Sequence, residues 1–127
     1  MTDMRTPLGK VRGLGSAREG TGHFWRQRLT AIANVPLILF FVGFLISQNG
    51  AGYAQTREAL ANPFVALVLI LFLVSGLVHM RLGMQVIIED YFHGEGGKLA
   101  LLALNTFFTI AVGVACGFAL LKIAFGV

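Results

Sequence analysis

Three long apolar segments, separated by short polar stretches, constrain this chain more than any other feature of its sequence. They cover about 29–48, 63–88 and 99–126. Each has at least the roughly 20 residues that an α-helix needs to cross the hydrocarbon core of a bilayer. Because lipid offers the backbone no hydrogen-bond partners, segments of this kind must be helical. We therefore expect an all-α fold with three transmembrane helices.

The composition excludes several classes of protein. The 127 residues are 56% hydrophobic and only 13% charged, whereas a soluble domain has about 25% charged residues. A soluble enzyme and a disordered tail are therefore disfavoured. The net charge of +4 would suit nucleic acid in another context. Here the basic residues are concentrated at one end of a membrane protein, so we expect the lipid membrane and no nucleic acid as a partner.

The first 28 residues differ in kind from the rest. They are rich in Gly, Ser, Thr and Arg and hold six of the ten Lys and Arg residues. We expect a cytoplasmic N-terminal arm over 1–28, extended or loosely ordered, followed by a membrane anchor domain over 29–127. Because positive charge is retained in the cytoplasm, the loop over 90–98 should be cytoplasmic. The loop over 50–62 and the C-terminus should then lie outside the cytoplasm.

Ionisable side chains inside a membrane span are functional candidates by default, and the second segment contains His79 and Arg81. Ser75, Gly76 and Gly83 lie within about 60° of His79 around a helix. These small residues would let a flat macrocycle approach His79 Nε2 as an axial iron ligand. Alternatively, they allow close helix packing, with His79 hydrogen-bonded across the interface. Arg81 lies about 200° from His79 and should contact another subunit or a lipid phosphate.

Other polar residues near the ends of the spans have two interpretations each. Asp90 shares a helix face with His79, about 16 Å away, and Tyr91 follows it. Tyr91 is either an interfacial belt residue or a hydrogen-bond donor to a carbonyl ligand, with Asp90 positioning the donor or relaying protons. Arg28 is either a topology signal or the partner of an anion such as a haem propionate. Asn105 is expected to join two helices by a hydrogen bond.

The run HMRLGMQVIIEDY at 79–91 resembles the second-helix motif of the hydrophobic membrane anchor subunit of succinate dehydrogenase, D type. The motif has a histidine, a glycine four residues later, and Asp-Tyr 11 and 12 residues later. The run WRQRLTAI at 25–32 is similar to the stretch before the family's first span. The resemblance covers about 15–127, and the His…Asp-Tyr spacing is its most specific part.

The resemblance implies a subunit of respiratory complex II in a bacterial inner membrane, within a multi-subunit helical bundle. Its partners would be a flavoprotein, an iron–sulfur protein and a second anchor of the C type. The two anchors together would hold one haem b, with His79 as this chain's ligand and Arg28 near the propionates. Tyr91 would hydrogen-bond ubiquinone, and Asp90 would serve proton delivery. The chain would not carry succinate chemistry itself. A quinol–fumarate reductase anchor and a cofactor-free membrane scaffold stay open as alternatives.

Overall fold

The computed structural model describes residues 4–13 and 20–126, which form five α-helices and no strand. The all-α prediction is therefore confirmed. Residues 1–3 and 14–19 of the predicted arm, and residue 127, lie outside the described residues. The helices are α1 (Pro7–Val11), α2 (Gly20–Ser47), α3 (Tyr53–Ala61), α4 (Pro63–Tyr91) and α5 (Glu95–Ala124). Three of them, α2, α4 and α5, are long and apolar enough to cross a membrane.

The helices begin earlier or end later than the apolar segments alone predict. α2 begins at Gly20 and α5 at Glu95, while α4 continues to Tyr91. The expectation of an extended arm is wrong for 7–11 and 20–28, which are helical. The expected loop over 50–62 also contains α3. Hydrophobicity marks what lies in lipid, whereas a helix continues until its backbone hydrogen bonding is interrupted.

Local sequence explains where α4 and α5 begin and end. Asn62 caps α4, because its Oδ1 accepts hydrogen bonds from the backbone N–H groups of Phe64 (3.0 Å) and Val65 (3.4 Å). Pro63 occupies the first helical position. Proline is tolerated there because the N–H that it lacks would have no intrahelical acceptor. At the other end of α4, Lys98 Nζ donates to the carbonyl oxygen of Glu89 at 3.1 Å. Residues 92–94 alone separate α4 from α5, so the two helices form a tight antiparallel pair.

α4 is the central helix of the bundle. It packs against α2 on one side and α5 on another, while α2 and α5 make no contact with each other within the described residues. α3 packs against α4 and α5, near the end of α5 where Ile123 and Phe125 line a cavity together with Tyr53. The start of α2, the end of α4 and the start of α5 therefore lie at the opposite end of the bundle.

Little of the chain is buried by its own folding. Four apolar residues are buried, all on α4, and Thr109 of α5 is the one buried polar residue among those described; the apolar four are Ala66, Leu69, Leu82 and Ile88. Large apolar side chains along all three spans are exposed. A surface of this kind is stable only in lipid or against other membrane helices.

Small residues determine how closely α4 and α5 approach. A methyl group added at Gly113 would lie 3.1 Å from Leu77 Cδ1, whereas one added at Gly117 would meet nothing within 4 Å. We expect Gly113→Val to lower the free energy of unfolding of the full chain in detergent micelles by about 1–3 kcal/mol, because it overpacks the α4–α5 contact. Gly117→Val is the matched control on the same helix and should cost clearly less. Equal losses would contradict the packing assigned to Gly113.

Candidate functional site

His79 lies on α4 about 18 Å along the helix axis from Tyr91, and it faces α2. Its Nδ1 is 3.2 Å from the hydroxyl oxygen of Thr30. The same hydroxyl lies 2.8 Å from the carbonyl oxygen of Arg26 and 3.1 Å from that of Gln27, one turn earlier on α2. No described residue makes a hydrogen bond to His79 Nε2. The imidazole is therefore held at one ring nitrogen and unpartnered at the other.

The helix face around His79 is partly covered by α2. Ser75 Oγ donates to the carbonyl oxygen of Thr30 at 3.4 Å, and a methyl group at Gly83 would lie 3.5 Å from Gln27 Nε2. Ser75 and Gly83 thus serve the close helix packing that small residues permit. Gly76 differs from them, because a methyl group there would meet nothing within 4 Å. The open surface beside His79 lies on the Gly76 side.

A row of polar side chains on α2 faces α4, and sequence reasoning missed most of it. His23, Gln27, Thr30 and Asn34 are spaced four, three and four residues apart, so they share one helix face. We call these four residues the polar stripe. Three of its atoms, His23 Nε2, Gln27 Oε1 and Asn34 Oδ1, are buried and have no hydrogen-bond partner among the described residues. The 4-3-4 spacing of polar residues leading into an apolar segment was the signal that could have found it.

Arg28 is not brought to the face that carries Thr30. The two residues are separated by about 160° around the α2 axis. The Arg28 guanidinium carbon lies 5.1 Å from the centroid of the Phe24 ring, in the range of a cation–π contact. The side chain is exposed. Its predicted role toward a propionate stays a prediction.

Asp90 and Tyr91 are the last two residues of α4 and are both exposed. α4 is unbroken from His79 to Asp90, so the expected separation of about 16 Å on one face holds. Tyr91 lies about 120° from His79 around the helix and is 76% exposed. It is in register with Met80, Met84 and Ile87, which line an apolar cavity of about 500 Å³ between α4 and α5.

Two further polar residues connect α4 to its surroundings. Asn105 Nδ2 donates to the carbonyl oxygen of Arg81 at 3.0 Å, so the expected interhelical role of Asn105 is confirmed. The Arg81 side chain is exposed. Beyond it on the same side of α4, Gln85 Nε2 donates to Glu89 Oε1 at 2.8 Å.

Comparison with known proteins identifies the family. The family described as succinate dehydrogenase/fumarate reductase transmembrane subunit matches residues 2–119. The succinate dehydrogenase hydrophobic membrane anchor subunit of Paracoccus denitrificans is 35% identical over 121 residues, covering 95% of this chain and 93% of that protein. This chain belongs to the succinate dehydrogenase membrane anchor family. The corresponding subunit of Rickettsia bellii is 31% identical over 113 residues, covering 89% of this chain and 90% of the relative. The membrane anchor subunit of Reclinomonas americana is 33% identical over 90 residues, covering 68% and 75%.

Membership in the anchor family explains the exposed apolar surface. An anchor subunit of succinate dehydrogenase works in a complex with other subunits and in a membrane. Its three apolar helices make it a multi-pass membrane protein. The surfaces that its own folding leaves uncovered are therefore available to lipid and to neighbouring subunits.

The buried amide oxygen of Asn34 predicts the sign of a change in stability. Asn34→Leu removes a buried oxygen without a partner, which costs about 1–3 kcal/mol, so the free energy of unfolding of this anchor in micelles should rise. Asn105→Leu is the matched substitution on α5, where the amide does bind a carbonyl. It should lower the same free energy by about 0.6–1.7 kcal/mol. A loss of stability in Asn34→Leu as large as that in Asn105→Leu would contradict the environment assigned to Asn34.

Proposed function

We propose that this chain is the D-type anchor of a bacterial succinate:ubiquinone oxidoreductase. In this role it holds haem b together with a C-type anchor and contributes to the site where ubiquinone is reduced. The proposal is supported chiefly by the arrangement of His79 within the second span. Its Nδ1 contacts the hydroxyl of Thr30, and its Nε2 has no hydrogen-bond partner among the described residues. The names of the relatives favour succinate dehydrogenase over a fumarate reductase anchor.

The residues around His79 fit a haem. A neutral imidazole binds iron through one nitrogen while the other is held by a hydrogen bond. Gly76 leaves open space next to the ring, while Ser75 and Gly83 line the side toward α2. When bound, the haem supplies one-electron redox chemistry. This chain would contribute the ligand and an apolar surround. Arg28 lies on another face of α2, over Phe24, so a propionate would have to reach around α2 to meet it.

The quinone proposal rests on Tyr91 and the cavity in register with it. A phenol can donate to a quinone carbonyl, and Tyr91 is exposed and in line with an apolar cavity. Cavities of about 300–1,000 Å³ with few polar groups are typical of small-molecule sites. Asp90, next to Tyr91, is exposed to solvent at the helix end and is suited to pass protons to the same region.

The proposed orientation places the N-terminus and the end of α4 in the cytoplasm and the C-terminus in the periplasm. The support is the excess of Lys and Arg before the first span, because positive charge is retained on the cytoplasmic side. The flavoprotein and the iron–sulfur protein would then dock at the end of the bundle that carries Tyr91. Succinate oxidation would belong to those partners.

His79 is tested by haem content. We expect the purified complex to show a b-type Soret band, and we expect His79→Ala to lose it while the subunits still co-purify, because the imidazole that would bind the iron is gone. Thr106→Val, a substitution on α5 away from this face, should keep the band. A wild-type complex without visible absorption would support the cofactor-free scaffold instead.

Tyr91 is tested by separating two activities of the complex. We expect Tyr91→Phe to leave succinate oxidation with an artificial acceptor unchanged and to lower quinone reduction by about 10-fold or more, since a donor to the substrate is lost. Tyr53→Phe, at the other end of the bundle, is the matched control. An equal fall in both activities would make Tyr91 a structural residue.

A further inference from the structure

The contacts of the Thr30 hydroxyl determine which nitrogen of His79 carries the proton. A threonine hydroxyl has one hydrogen to donate and can accept through its oxygen. The shortest contact of Oγ1 is the 2.8 Å one to the carbonyl oxygen of Arg26, and the next is the 3.1 Å one to that of Gln27. A carbonyl oxygen only accepts, so the hydroxyl hydrogen points back along α2.

With its hydrogen engaged on α2, Thr30 Oγ1 can only accept from His79 Nδ1, 3.2 Å away. Nδ1 must then carry the proton. In a neutral imidazole the other nitrogen, Nε2, is left with a lone pair. The opposite tautomer would turn two acceptors toward each other at Nδ1 and would place a hydrogen on Nε2, where it blocks coordination.

The geometry points to Thr30 as the positioning residue that fixes the metal-binding tautomer and the ring orientation of His79. This inference rests on the proposed haem function and deepens it. Ser75 supports the arrangement from α4, because its hydroxyl donates to the carbonyl oxygen of the same threonine at 3.4 Å. The two helices thus hold the imidazole through one residue of α2.

The inference predicts an effect on the electronic properties of the haem. An acceptor on the far nitrogen strengthens the imidazole as a donor to iron and so favours the ferric state. We expect Thr30→Val, in the purified complex, to weaken haem retention by about 10-fold or more. At a fixed ambient potential, the reduced-to-oxidised ratio of the remaining haem should rise by about three- to tenfold, where tenfold is ~59 mV for one electron.

Two variants separate this role from simple packing. Thr30→Ser keeps the hydroxyl and should restore the wild-type midpoint potential and ferric EPR signal. Thr106→Val removes a hydroxyl that donates to its own helix, at 3.0 Å from the carbonyl oxygen of Leu102, but has no histidine partner, so the haem should be unchanged. If Thr30→Val does not assemble, Thr30→Ala is compared with Thr30→Ser in the same measurements.

The outcomes distinguish the two proposals. In one outcome, the wild-type complex contains haem that His79→Ala loses, but the midpoint potential and haem retention are unchanged in Thr30→Val and Thr30→Ala. This outcome overturns the role of Thr30 and leaves the haem proposal standing. A shifted potential that serine does not restore also overturns it. A wild-type complex without a His79-dependent haem overturns both.

Discussion

Helix association in lipid depends on close packing and on hydrogen bonds, because the surrounding acyl chains are as apolar as the helices themselves. The fold of this anchor follows from that constraint. Gly113 lets α5 approach Leu77 of α4, Asn105 binds a backbone carbonyl of α4, and Thr30 meets His79. With few buried apolar residues, these contacts join α4 to its neighbours together with the aromatic pairs Phe40–Phe64 and Phe41–Phe72. The residue proposed to bind iron is also one of those that join α2 to α4.

α4 lies between α2 and α5, which do not pack against each other in the described part of the chain. Its faces therefore meet different neighbours. His79 lies on the face toward α2, and Tyr91 lies about 120° away, in register with the cavity beside α5. The two candidate binding regions are therefore built against different neighbours. A change in the packing of α5 should therefore alter the Tyr91 region and leave His79 in place. A change in the polar stripe of α2 should alter the surroundings of His79 and leave the Tyr91 region in place.

The sequence predicted what depends on hydrophobicity and helical period. The three spans follow from long apolar runs, and the register of Asp90 with His79 follows from an unbroken helix. The start of α2 was missed because its first residues are small or polar, Gly20 and Gly22 among them. This composition is typical of a loop. The polar stripe was missed because its meaning depends on which face of α2 meets α4. That choice is made by tertiary contacts, which no local pattern reports.

Arg81 is a charged residue in the second span whose partner is not found among the described residues. A charge within a membrane span costs about 2.5–3.5 kcal/mol even on insertion scales. No described carboxylate of this chain pairs with Arg81, and its side chain is exposed on the side of α4 that carries Gln85 and Glu89. The internal contacts of the bundle use the backbone of Arg81, through Asn105, and leave the guanidinium unpaired. We expect the compensating group to come from a lipid phosphate or from a neighbouring subunit, because a charge in a span is stabilised by a counter-charge.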